Sequence, residues 1–127
     1  MKEMKYYPTT FNSPEILDEG DYRNYHYIIA NMGTHPCCYV EDKLFTDDTY
    51  AQELTRVHGG VTWEHGELWW KKGDHREYFG WDYAHCGDFY GADLLLFDGI
   101  SATAHMYTTQ ELKDDVLKAI DEIVDAQ

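Results

Sequence analysis

No stretch of this 127-residue chain stays apolar for long. Runs such as LLLF (94–97) end after four residues, against the ~20 that a membrane-spanning helix needs. The opening MKEMKYYPTT has no apolar core of the secretory kind. A soluble, cytoplasmic protein without a membrane partner is the expectation. Cysteine is scarce: Cys37, Cys38 and Cys86. The first two are adjacent, and neighbours on a strand point to opposite faces, so an odd set of reduced thiols is expected and a disulfide framework is not. Bases are few, 10 against 24 acids, for a net charge of −14, which argues against direct nucleic-acid binding through a basic face. The acids are spread along the chain without a dense block. They read as a solvated surface, with an interaction with a basic protein or mimicry of nucleic-acid phosphates as alternatives. There is no H-x-H, H-E-x-x-H or C-x-x-C spacing, no phosphate-binding loop and no dinucleotide fingerprint, so no cofactor is expected.

What the chain has is aromatic and β-branched residues, enough for a packed core in one domain. Residues 1–20, with Pro8, Pro14 and Gly20, read as an extended arm. From Tyr22 the pattern is strand-like. YHYIIANMG (25–33) is a strand ending in a turn, HPCCYVEDKLF a second, and RVHGGVTW a strand with an interruption. EHGE (64–67) reads as a tight turn with ELWWKK as hairpin partner, and REYFGWDYA as a central strand. DDTYAQEL is a loop or one helical turn, and residues 92–107 stay ambiguous. Thr108 and Glu111 have capping-box spacing. Beyond them Leu112, Val116, Leu117, Ile120, Ile123 and Val124 recur at three- and four-residue steps, an amphipathic helix over 108–126 that needs a sheet to lie on. The fold class is α+β: an antiparallel sheet, a meander over 22–90, with a C-terminal helix on one face.

Two motifs carry whatever chemistry there is. In His58-Gly59-Gly60-Val61-Thr62-Trp63 the paired glycines allow positive φ and could expose successive amides as a donor nest, or could serve a bulge or bend. Gly80-Trp81-Asp82-Tyr83-Ala84-His85-Cys86-Gly87-Asp88 gathers two acids and a histidine. An aspartate beside a histidine fixes its tautomer in catalytic sites and behind metal ligands alike, and also caps turns. His58, Asp82, His85 and Asp88 are chemically suitable metal ligands without a metal-site spacing. A Cys86 nucleophile would need a histidine other than the adjacent His85. Tryptophans near both motifs could stack on a planar ligand.

The pair HGGVTW and FGWDYAHCGD resembles a recurrent pair in small bacteriophage and prophage proteins of unknown function, where a helix closes the chain. The match falls on His58, Gly59, Gly60, Thr62 and Trp63, then on Gly80, Trp81, Asp82, Ala84, His85, Gly87 and Asp88. Cys86 and Trp81 stand where a small residue and often Phe are expected, and residues 1–50 match poorly. The resemblance implies a phage origin and an accessory role in the infected host's cytoplasm. Analogy with that class suggests a protein that sequesters a nucleotide-like host immune signal. The ligand-binding set expected from the residues is His58, Gly59, Gly60, Thr62, Trp63, Trp81, Asp82, His85 and Asp88. Alternatives are a phosphodiesterase or hydrolase with His85 as base, and an acidic inhibitor of a host defence factor. Pockets between copies are common in small binders, so a homodimer or larger homo-oligomer also belongs to this reading.

Overall fold

The computed structural model of the protein describes residues 1–6, 13–43, 57–84, 88 and 104–126. The expectations for 47–54, for 92–103 and for His85, Cys86 and Gly87 lie outside these residues. Five strands, β1 (Glu15–Tyr22), β2 (Tyr25–Asn31), β3 (Pro36–Glu41), β4 (Trp63–Gly66) and β5 (Tyr78–Asp82), form one antiparallel sheet in the order β1-β2-β3-β5-β4. Among the described residues the helix α1 (Thr109–Asp125) packs against β1, β2 and β3. The architecture is α+β, as the periodicities imply.

Alternation decides which side chain goes where. Tyr25, Tyr27 and Ile29 of β2 join the helix-side core, while Ile28 and Ala30 join a second cluster on the opposite face. Cys38 and Val40 face α1; Cys37 and Tyr39 face away. Both of these thiols are free and buried. Burial pushes the Cys37 thiol up to about 12 and raises that of Cys38 well above its ordinary value, so neither is a nucleophile near neutral pH. At the β1–β2 hairpin, Arg23 and Asn24 form a two-residue turn with φ 49° and 71°, the positive φ at both positions that such turns take.

The meander continues through β3, and beyond it the strands part from simple succession. β5 takes the inner position beside β3 because Tyr78, Phe79 and Trp81 are buried there. The four-residue β4, with its partly exposed Trp63, is left at the edge. Three local expectations change. β1 begins at Glu15, inside the segment read as an arm, because Leu17 reaches the core. Glu64 to Gly66 belong to β4 and not to a turn. The stretch after Gly66 is not a strand; it folds as turns closed by Lys71 N–H to the Leu68 carbonyl and Asp74 N–H to the Lys71 carbonyl. Residues 1–6 lie outside the strands, held by Lys2 N–H to the Leu17 carbonyl and by the Thr109 hydroxyl to the Lys2 carbonyl.

α1 starts where its cap requires. The Thr108 hydroxyl accepts from Glu111 N–H at 3.2 Å, and a Glu111 carboxylate oxygen accepts from Thr108 N–H at 3.0 Å. Leu112, Val116, Ala119, Ile120 and Ile123 are buried, with Leu117 and Val124 partly so. Each large side chain is worth roughly 1.5–3 kcal/mol of burial. Polar ties fix the helix azimuth. Asp121 accepts from Tyr22 at 3.0 Å and from Arg23 at 2.7 Å, Arg23 also reaches Asp125, and Asp115 accepts from Tyr83 at 2.7 Å. No helix of the described residues is long and apolar enough to cross a membrane.

Candidate functional site

The first motif folds as a turn. Gly60 N–H donates to the Val57 carbonyl at 2.9 Å, and Gly59 and Gly60 have φ 70° and 81°. A Cβ at Gly60 would meet nothing within 4 Å, so conformation and not space calls for glycine there. Thr62 N–H donates to the Gly80 carbonyl at 2.8 Å. The amides of Gly60 and Thr62 are thus engaged in turn and sheet, and this pair of bonds accounts for the glycines as a bend.

Side chains of the two motifs meet as well. Thr62 donates its hydroxyl to Asp82 at 3.3 Å. His58 Nε2 lies 2.6 Å from Asp88 Oδ2 across thirty residues of sequence. Asp88 is buried, and a carboxylate only accepts, so it holds the imidazole with a proton on Nε2. The His58 ring stacks on Tyr83, centroids 4.6 Å apart and planes 13° apart. Tyr107 meets the His58 ring edge-on at 5.4 Å, its hydroxyl 3.5 Å from Nδ1. Burial, with the fields of Asp88 and Asp115 added, pushes the Tyr107 phenol up to about 12. Burial raises Tyr83 further. Both phenols are therefore neutral donors at pH 7.

The remaining expected ligand-binding residues separate. Trp81 is 1% exposed and its indole N–H donates to the Tyr83 hydroxyl at 3.0 Å, which makes it part of the core that supports His58 and not a platform open to a ligand. Trp63 is 39% exposed on the edge strand, over Gly66. Asp82 accepts from Ala84 N–H at 3.2 Å, closing its own turn. Gly80 has a packing reason: a Cβ there would lie 2.6 Å from the Tyr39 ring and 2.7 Å from the Cys38 carbonyl oxygen.

Beside His58 lies a cavity of about 250 Å³, lined by Val57, His58 and Tyr107 on one side and by Asp115, Lys118, Ala119 and Glu122 of α1 on the other. The four helix residues are spaced three and four apart and so share a face. Ala119, the smallest residue of the buried stripe, leaves the hollow. Sequence reasoning did not pick out Tyr107, Asp115, Lys118 or Glu122 as site residues. The one available signal was an alanine inside a stripe of larger apolar residues.

On the other face of the sheet, His26 lies between Glu19 (Nε2 to Oε2 2.7 Å) and Asp21 (Nδ1 to Oδ1 3.0 Å). Among the described residues, the metal-ligating side chains that come close enough to share an ion are Glu19, His26 and Asp74. The Lys71 ammonium stands among them, 2.9 Å from Glu19 and 2.9 Å from Asp74, so this is an ion-pair network with its own cation. Burial acts to raise the Asp74 carboxyl, but hydrogen bonds from Tyr78, Lys71 and Arg76 N–H outweigh it and hold the group well below the usual range. Glu19 is lowered likewise, by Lys71 and His26 against burial.

No family model matches this chain, and no curated protein or solved structure is detectably similar to it.

Proposed function

We propose that the protein binds a small ligand in the cavity beside His58 and holds it without consuming it. The observation that carries this reading is the cavity itself, with an oriented imidazole and a neutral phenol on one wall and a charged helix face on the other. Its volume lies below the ~300–1,000 Å³ of sites for drug-sized ligands. The ligand, or the part of it taken in, is accordingly compact, and the His58 and Tyr107 rings favour a planar one. A nucleotide-like host signal remains the ligand suggested by the phage resemblance, with its base inside and its phosphates outside the acidic lining. Native mass spectrometry of the purified protein tests the reading and also reads the assembly size. It predicts one small-molecule adduct per chain, recovered intact after heat denaturation and lost in Ala119→Leu. An adduct that persists in that variant contradicts it.

One observation favours a second reading, hydrolysis of such a ligand. An imidazole 2.6 Å from a buried carboxylate at a cavity wall is the arrangement of a general base with its orienting acid. His58 with Asp88, in place of His85, would then carry the reaction. Conversion of bound ligand to product, abolished by His58→Gln in a folded protein, favours this reading over the first.

A further inference from the structure

We propose that His26 is a proton-operated latch near the tip of the β1–β2 hairpin: with both ring N–H groups present it bridges Glu19 and Asp21, and loss of one proton releases Asp21. Nothing in this depends on the cavity beside His58. Nε2 lies 2.7 Å from Glu19 Oε2, and Nδ1 lies 3.0 Å from Asp21 Oδ1. A carboxylate only accepts, and a neutral imidazole has a single N–H. Both contacts are therefore hydrogen bonds only when the ring carries two protons. Water offers the ring little substitute, since the His26 side chain is 10% exposed.

The groups around His26 decide which contact yields. From β1 come Glu19 and Asp21. From β3, Glu41 accepts the His26 backbone N–H at 3.2 Å, and from β5 the Tyr78 ring stands 6.5 Å away. From the turns after Gly66, Asp74 brings a carboxylate oxygen within 4.8 Å of the ring, and the Lys71 ammonium joins it to Glu19. Arg76 reaches Asp74 from the outside at 3.3 Å. Burial acts to raise the Glu19 carboxyl, but hydrogen bonds from Lys71 and His26 outweigh it, so Glu19 is an ionised anchor. Asp21, its side chain 73% exposed, exchanges the ring for water far more easily. The neutral ring accordingly keeps its proton on Nε2, toward Glu19, and turns a lone pair on Asp21. Asp21 pairs with His26 across the hairpin, next to Tyr22 and Arg23, and these two hold Asp121 of α1. The latch thus acts on the part of the hairpin that docks the helix.

Imidazole and backbone ¹H–¹⁵N correlation spectra of the full chain, recorded from about pH 5 to 9 to span the histidine range, test it. The expected result is that His26 passes from the doubly protonated ring to a neutral ring protonated on Nε2 alone. The amide signals of Asp21, Tyr22 and Arg23 move with the same midpoint. Asp21→Asn is the control. An asparagine side chain accepts through its oxygen and donates through its nitrogen, so it stays with the ring in either state. In that variant the ring still titrates and the three amides no longer follow it. A ring that keeps one protonation state throughout, a neutral ring protonated on Nδ1, or amides that ignore the His26 midpoint overturns the latch without any variant. Amides that follow the midpoint equally in Asp21→Asn, with a thermal melt showing that variant folded, overturn it as well.

Discussion

Gly80 and Asp74 show how far single residues are committed to the fold. Gly80 sits opposite Tyr39 in the β3–β5 register, with the ring where a Cβ would be. Gly80→Ala is expected to cost about 1–3 kcal/mol, the usual range for overpacking, read as a lower denaturant midpoint at unchanged slope. Asp74 accepts from Tyr78 at 2.6 Å and from Lys71 at 2.9 Å with its carboxylate almost buried. Its folded-state pKa is depressed, as is that of Glu19. Groups so shifted stabilise the fold fully above their unfolded values of roughly 4 and lose that contribution as pH falls through the folded ones. Stability should therefore decline on acidification below about pH 5. Asp74→Asn should flatten that decline in thermal melts between pH 3 and 6, and lower stability at pH 7 by about 1.5–3 kcal/mol, the range for a hydrogen bond to a charged group. A melt series with the same acid slope as the parent chain would detach Asp74 from this account.

Elements divide by how local their determinants are. α1 was legible because both its signals lie within a few residues: the Thr108–Glu111 box and the apolar stripe from Leu112 to Val124. Thr108→Ala should cost about 1 kcal/mol, seen as a lower melting temperature, since it removes the acceptor for Glu111 N–H. β2 and β3 were legible through their aromatic and β-branched content and the turns that end them. The order of β4 and β5 was not, because it depends on which strand better fills the place beside β3, a comparison no local pattern contains. ELWWKK misled for a related reason. Its hydrophobic residues suit a strand, yet Leu68 and Trp70 pack onto the sheet face from turns.

The site was half legible. His58 and Asp88 belong to motifs that stood out by composition, and the structure joins them. Their pairing spans thirty residues, and the sequence offered His85 as the nearer partner for Asp88. The helix wall went unread because Asp115, Lys118 and Glu122 look like ordinary solvated charges until the His58 turn is set against them.

At the scale of the whole molecule the net charge of −14 asks for a role or a compensation. Part of it is compensated internally. Asp121 and Asp125 pair with Arg23, and Asp18 lies 3.4 Å from Lys113. Such surface pairs are individually weak, but here they tie α1 to the β1–β2 hairpin. An acidic inhibitor working through the α1 acids would have to draw on groups that already dock the helix, so the cavity carries the functional argument better than the surface does.

The most direct measurement of that claim is a ¹H–¹⁵N correlation spectrum of the protein titrated with a library of small planar compounds. The account predicts that at least one compound shifts the His58, Tyr107, Lys118 and Ala119 signals together, saturates at one per chain, and loses the effect in Ala119→Leu. A library that leaves those four residues unmoved, or shifts that survive the filled cavity, would contradict it.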